Sequence, residues 1–212
     1  MINYSLTFQN LTKSFGRRLI FREINAEFHS GNVYGFVGNN GSGKSTLAKI
    51  VAGVLSPTTG KAIHKQNGTI ITHDNLHKHL GFVAPYLILY DEFSAKENLF
   101  HAMNIRGLKS NSERIEELLN DFELYDRRND VLKAYSSGMK QRIKFIFALI
   151  HNPSLLIFDE PTSNLDVKGK DTVYKLIEEQ AKEKLIILAS NEESDLALCK
   201  TKIYVENYKQ MN

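Results

Sequence analysis

Two clusters in this 212-residue chain have the residue types and spacing to handle phosphate. The first is Gly38-Asn39-Asn40-Gly41-Ser42-Gly43-Lys44-Ser45-Thr46. Glycines let backbone N–H groups close on phosphate oxygens without Cβ clashes, and a helix starting just after them points its positive end the same way. Lys44 then reaches the β- and γ-phosphates, and the Ser45 hydroxyl is placed to ligate Mg2+. The second cluster is Asp159-Glu160-Pro161-Thr162. Beside such a loop, an acid that ends a strand holds Mg2+, which assigns Asp159 to the metal with Ser45. Metal binding needs no second acid, so Glu160 is the candidate to orient and deprotonate an attacking water. A Gly-rich turn and an acidic helix cap are the plain readings of the same residues. The strand-to-helix context argues against them, and the two clusters together read as a site for a nucleoside triphosphate.

The flanking sequence must position these groups. Val33 to Val37 is an apolar run of strand character before the loop, and Leu47 to Leu55 has helical spacing after it. Leu155 to Phe158 is the continuous apolar run of a strand covered on both faces. A helix from about Lys168 to Lys184, a buried strand at Leu185 to Ala189 and a short helix from Glu192 follow. Gly81 to Ala84 reads as another short buried strand, ended by Pro85. Strands alternating with helices give an α/β fold, a mainly parallel sheet between helices with ligand loops at the strand C-terminal ends.

Two further parts are legible. Ser5 to Lys13 and Ile24 to His29 alternate as half-buried antiparallel strands do, with a turn at Phe15-Gly16-Arg17-Arg18 between them. Pro57 to Gly60 is a turn, and Lys61 to Lys65 a short strand. Ser94-Ala95-Lys96-Glu97 is a capping box that starts a helix to about Arg106. A helix from about Ser112 to Phe122, with Ile115, Leu118, Leu119 and Phe122 on one face, makes a helical insertion together with it, and a third helix runs from about Ser137 to Ile150. No repeat or linker marks a boundary, so residues 1–212 read as one domain, with a helical subdomain at about 91–150.

Composition excludes several classes. Apolar residues at 42% and charged residues at 24% suit a globular core, and the mild net charge of +3 gives no nucleic-acid footprint. No apolar run approaches the length of a bilayer span, and Met1-Ile2-Asn3-Tyr4-Ser5 lacks the pattern of a signal peptide. The single cysteine, Cys199, has no disulfide partner within the chain, fits a reducing compartment and reads as a small apolar filler. His64, His73, His77 and His79 lack supporting carboxylates or cysteines and sit beside Lys65 and Lys78, so they read as solvated polar surface rather than a metal site.

At the acid pair the chain resembles the ATP-binding cassette (ABC) family, the nucleotide-binding subunits of ABC transporters. The resemblance covers nearly the whole chain. It rests on the phosphate loop, on Leu155 to Glu160, on Ser163-Asn164-Leu165-Asp166, which looks like the family's D-loop, and on Tyr135-Ser136-Ser137-Gly138-Met139-Lys140-Gln141-Arg142. That last stretch is similar to the family signature LSGGQ-x-Q-R, matching at Ser136, Gly138, Gln141 and Arg142 and departing at Tyr135, Ser137 and Met139. The resemblance implies a P-loop NTPase (RecA-like) core with an N-terminal antiparallel β subdomain and an inserted helical subdomain. It implies ATP and Mg2+ as ligands, and a homodimer or heterodimer in which Ser136 and Gly138 contact the γ-phosphate of the partner's ATP. It also implies a separate membrane permease as partner and a place on the cytoplasmic face of the membrane. Phe15 stands where the family has an aromatic that stacks on adenine; an aromatic after a strand is also an ordinary core residue. Arg17 or Arg18 adds charge near the phosphates or belongs to a solvated turn.

Two positions depart from the family pattern at the reacting end of ATP. Pro85 stands where the family has a glutamine touching Mg2+ and the attacking water, and Asn191 where it has a histidine on the γ-phosphate. The implied function is an ATP-binding, ATP-hydrolysing transporter subunit with slow turnover. A soluble ABC-type switch in assembly or translation is the alternative; paired cassettes or a long coiled-coil insertion would favour it, and the chain has neither.

Overall fold

A computed structural model describes residues 3–108 and 111–209; Met1 and Ile2 of the N-terminal reading lie outside them. The first segment forms a long hairpin, β1 (Tyr4–Phe15) and β2 (Arg18–His29). The second strand begins at Arg18 rather than at the expected Ile24. Register shifts interrupt the pairing between Phe8 and Ser14, and Asn10 and Glu23 adopt left-handed φ of 48° and 55°. Each shift flips the faces, so the alternation that marks a strand is lost locally.

The chain continues through β3 (Asn32–Val37), α1 (Lys44–Val51), β4 (Thr59–Gln66), β5 (Thr69–Ile70), α2 (His73–Leu76) and β6 (Leu80–Val83). Then come α3 (Ala95–Ile105), α4 (Ser112–Asp121) and α5 (Ser137–Leu149), before β7 (Leu155–Asp159), α6 (Val167–Gln180), β8 (Leu185–Ser190), α7 (Glu193–Leu196) and β9 (Thr201–Tyr204). The capping box at Ser94 starts α3 as expected, with the Ser94 hydroxyl accepting from the Glu97 N–H and the Glu97 carboxylate from the Ser94 N–H. Two sheets result. One is antiparallel, ordered β2-β1-β4-β5; the other is parallel, ordered β6-β7-β8-β3-β9. Strand β9 was not expected, because Thr201-Lys202-Ile203-Tyr204 is too short and too polar to announce itself.

The parallel sheet separates two apolar cores. Leu156, Phe158, Ile186 and Leu188 face the helical insertion, packing with Leu99, Ile115, Leu119, Phe145 and Ile146. Leu155, Ile157, Leu185 and Ile187 face the other way, onto α1 and the antiparallel sheet. That is the pattern of strands buried on both faces. Phe8, Phe28, Tyr34 and Phe36 join the two sheets through ring contacts, Phe8–Phe28 at 4.9 Å and Phe28–Tyr34 at 5.0 Å, both edge-on. Cys199 packs at the edge of this framework, its Sγ close over Gly35.

His64 does not lie on a solvated surface. It is 5% exposed, and one ring nitrogen, Nδ1, lies 2.8 Å from the buried Tyr4 hydroxyl. Strand alternation turned it inward from β4, while His73, His77 and His79 remain outside the core. Burial lowers its pKa to about 4, and burial together with the Arg106 charge does the same for His151. Both stay neutral in the fold, whereas the unfolded chain protonates near 6.5. Stability is therefore complete above pH ~6.5 and falls as pH drops toward ~4, each histidine adding a slope approaching about 1.4 kcal/mol per pH unit. The double variant Tyr4→Phe/His64→Leu removes both polar partners together, and its urea unfolding between pH 6 and 5 should show one histidine's slope less than the parent. An unchanged slope would mean that His64 is protonated inside the fold.

Candidate functional site

The loop 38–46 hangs between β3 and α1 and wraps the side chain of Lys44. Gly38 and Gly43 take φ of 149° and 114°, and a Cβ on Gly43 would come within 2.5 Å of Ile20 Cγ2. Both the conformation and the close approach call for glycine. Lys44 is 5% exposed, and its Nζ donates to the carbonyls of Gly38 at 2.8 Å and Asn39 at 3.4 Å. Glu206, in the turn after β9, accepts the Asn39 N–H at 2.9 Å and braces the loop from outside. No sequence signal pointed to Glu206.

β7 lies one strand away from β3, across β8, and its end meets α1. Ser45 Oγ donates to Asp159 Oδ1 at 3.0 Å. Asp159 is 1% exposed, and its other oxygen, Oδ2, is buried with no hydrogen-bond partner; Ser42 Oγ in the loop is likewise unpartnered. Burial raises the Asp159 pKa, opposed by the Ser45 and Tyr86 hydroxyls and by the Lys44 and Lys49 charges. Two adjacent hard oxygen donors with a spare carboxylate oxygen suit Mg2+, which keeps most of its waters and takes one or two protein ligands beside phosphate. Glu160 follows at φ 49°, unusual for a side chain of that size, held by its N–H to Ala189 O at 2.8 Å. Its Oε1 lies 3.7 Å from Lys44 Nζ. Burial raises its pKa, Lys44 lowers it, and the neighbouring acids raise it further.

The open side of this cleft is lined by Phe15, Arg18, Asn40 to Thr46 and Glu160. Phe15 stands half exposed at the hairpin tip with Lys13 Nζ 4.7 Å from its ring centre, so one ring face is capped by a cation. Arg18, rather than Arg17, lines the cleft. Asn191 is exposed at the end of β8, and its amide reaches Asn40 Oδ1 at 3.5 Å. Pro85 is exposed, and its carbonyl accepts from Lys144 Nζ on α5 at 3.0 Å.

A buried network escaped the sequence reading. Asp195 Oδ1 accepts from Thr162 Oγ1 at 3.0 Å and from Tyr174 at 2.9 Å, and Oδ2 accepts from Ser190 Oγ at 2.6 Å. It ties the segment after Glu160 to the one bearing Asn191. Ordinary residue types scattered over the chain gave no spacing to read.

Ser136 and Gly138 are not in the cleft. They line a concavity with Asn164, Leu165 and Asp166 that is separate from the one lined by this chain's own phosphate loop. Ser136 caps α5, accepting the Met139 N–H at 3.2 Å. Tyr135 is buried with its hydroxyl donating to Arg127 O at 2.6 Å, which accounts for an aromatic at that position. Gln141 donates to Pro161 O at 3.0 Å and Arg142 to Phe122 O at 2.9 Å, fastening α5 to the core and to the insertion.

Comparison with known proteins places this geometry. A family model described as ABC transporter matches residues 21–163. The lantibiotic transport ATP-binding protein SrtF of Streptococcus pyogenes is 36% identical over 186 residues, 88% of this chain and 79% of that one. The ABC transporter ATP-binding protein NatA of Bacillus subtilis is 31% identical over 191 residues, 88% and 78% of the two chains. A solved structure from Pyrococcus furiosus, described as an ABC transporter ATP-binding protein, superposes with a TM-score of 0.82. It is 26% identical and covers 97% of this chain and 100% of its own. The matched span holds the phosphate loop, the signature stretch and the acid pair, and on that ground this chain belongs to the ABC transporter family.

Proposed function

We propose that this protein is an ATP-binding and ATP-hydrolysing subunit of an ABC transporter, one ATPase domain over residues 1–212 with a helical subdomain at about 91–150. It works as a dimer, on the cytoplasmic face of a membrane, through a separate membrane-spanning partner. The observation that carries this reading is the convergence of Lys44, Ser45, Asp159 and Glu160 within hydrogen-bond or ion-pair distance at one strand-to-helix loop. Among the described residues no helix is long and apolar enough to cross a membrane.

In this reading the N–H groups of Asn40 to Thr46 and the Lys44 ammonium hold the β- and γ-phosphates, and Phe15 offers its free face to the base. Magnesium, held by Ser45 and Asp159, would neutralise the charge bridging those phosphates. Glu160 accepts a proton from water as the water oxygen bonds to the γ-phosphorus. The bond to the β–γ bridging oxygen breaks, leaving ADP and phosphate. Glu160 is suited to the task because burial raises its proton affinity above that of an ordinary carboxylate. Ser136 and Gly138 would complete the site of the second subunit, since they line a concavity separate from their own cleft. The exposed apolar residues Ile88 and Tyr90, in the loop after β6, would meet the membrane partner.

Three outcomes test this. Glu160→Gln should retain Mg-ATP and elute as a dimer in size-exclusion chromatography with Mg-ATP; a variant that binds ATP yet stays monomeric at high concentration contradicts the shared site. Turnover should be slower by on the order of 10–1000-fold, because Pro85 forgoes a charge-assisted contact worth roughly 1.5–3 kcal/mol and Asn191, whose amide still donates, forgoes a smaller part of one. Pro85→Gln and Asn191→His, singly and together, should raise turnover at saturating ATP, and no gain over a parent already turning over at an ordinary family rate rejects the argument. Ile88→Glu should abolish detergent co-purification of a membrane partner while leaving ATP affinity and the melting midpoint unchanged. A matching loss of stability would make Ile88 a folding residue instead.

A further inference from the structure

Phe15 ends β1 at the hairpin tip, half exposed, beside a Gly16 with open space around it. A ring so placed has room to turn about its side-chain torsions, and its angle to the cleft is set by what touches it. Lys13 Nζ lies 4.7 Å from the ring centre and donates to Ser56 O at 2.8 Å. Ser56 belongs to the turn after α1, and that turn is bonded to the end of β1 by its backbone and by Thr58. The Thr58 N–H donates to Thr12 O at 2.8 Å, the Ser14 N–H to Thr58 Oγ1 at 2.9 Å, and Thr58 Oγ1 to Ser14 O at 3.3 Å. The stretch leading into the turn is fastened to α1, the N–H groups of Val54 and Leu55 donating to Lys49 O at 3.0 and 3.2 Å. Helix α1 itself begins at Lys44. One short helix therefore links the phosphate loop to the ammonium that lies over Phe15.

We propose that Lys13 is a positioning residue for the nucleotide base, its tethered ammonium fixing the Phe15 ring so that the opposite face receives adenine. This rests on the reading of Phe15 as the ring beneath the base. A cation over an aromatic face is held there by the ring's quadrupole, and the bond to Ser56 gives that cation one place to stand. The ring is then ordered before the nucleotide arrives, so stacking does not have to supply that ordering. The ammonium also covers one face and leaves the other for the base. Because the tether runs through the turn after α1, the ring keeps a set distance from the phosphate loop. That favours a ligand spanning both places, a nucleoside triphosphate, over a bare polyphosphate. Lys13 acts through Phe15 and needs no contact of its own with base or phosphate.

The test is calorimetric titration of the full chain, in Mg2+, with a non-hydrolysable ATP analogue and with inorganic tripolyphosphate, which carries the phosphates without a base. In Lys13→Met, which removes the charge, affinity for the analogue should fall roughly 2–5-fold while that for tripolyphosphate stays the same. Lys13→Arg, which can still donate and cover the ring, should restore it. Phe15→Ala should bind the analogue roughly 5–100-fold more weakly, and adding Lys13→Met to it should cost nothing further. Unchanged analogue affinity in Lys13→Met, an equal loss for both ligands, or a loss that persists in the Phe15→Ala background overturns the proposal. If Phe15→Ala binds the analogue as tightly as the parent, the base does not sit on that ring, and the reading of Phe15 fails together with this inference.

Discussion

The structure depends on keeping one ammonium ion out of water. Lys44 is nearly inaccessible, and a bare charge so placed would cost several kcal/mol. Two loop carbonyls and the Glu160 carboxylate offset that cost only if the backbone doubles back around the side chain, and only if the end of β7 lies beside the start of α1. The first condition demands glycines in conformations other residues avoid. The second demands a parallel sheet with both faces sealed, because Asp159 and Glu160 must be presented from a strand that cannot shift. The two apolar cores on either side of the sheet are what hold that strand still.

Around this charge cluster, three segments that flank the cleft are tied by side-chain hydrogen bonds. Asp195 joins the stretch after Glu160 to the end of β8, Gln141 joins α5 to Pro161, and Lys144 joins α5 to the carbonyls of Ala84 and Pro85. Helix α5 thus reports to two edges of the cleft at once. Any displacement of the insertion relative to the sheet must stretch one of these bonds or carry Pro161 or Pro85 with it.

The charged parts of the site were legible because their chemistry compels both residue type and spacing: a phosphate loop needs its glycines, lysine and serine contiguous, and the acid pair must end an apolar strand. The buried strands and the capped helix α3 were equally plain. What escaped was set by tertiary contact. The first half of β2 was hidden by bulges that break its alternation, and β9 by brevity. His64 looked like surface among lysines and proved to be core, because which face of β4 points inward depends on its pairing with β1. Asp195 gave no signal, since it acquires its role from partners carried on other elements.

The strand order has a bearing on how the protein is made. β3, which ends in the phosphate loop, pairs with β8 on one side and β9 on the other, and the loop itself is braced by Glu206, 167 positions away from Asn39. During synthesis the loop leaves the ribosome early, yet every strand that flanks it belongs to the last part of the chain described here. Until those strands have been made it has neither neighbour. Contacts of such long range are slow to close, so the formation of the site that gives the protein its use waits on strands made long after its loop.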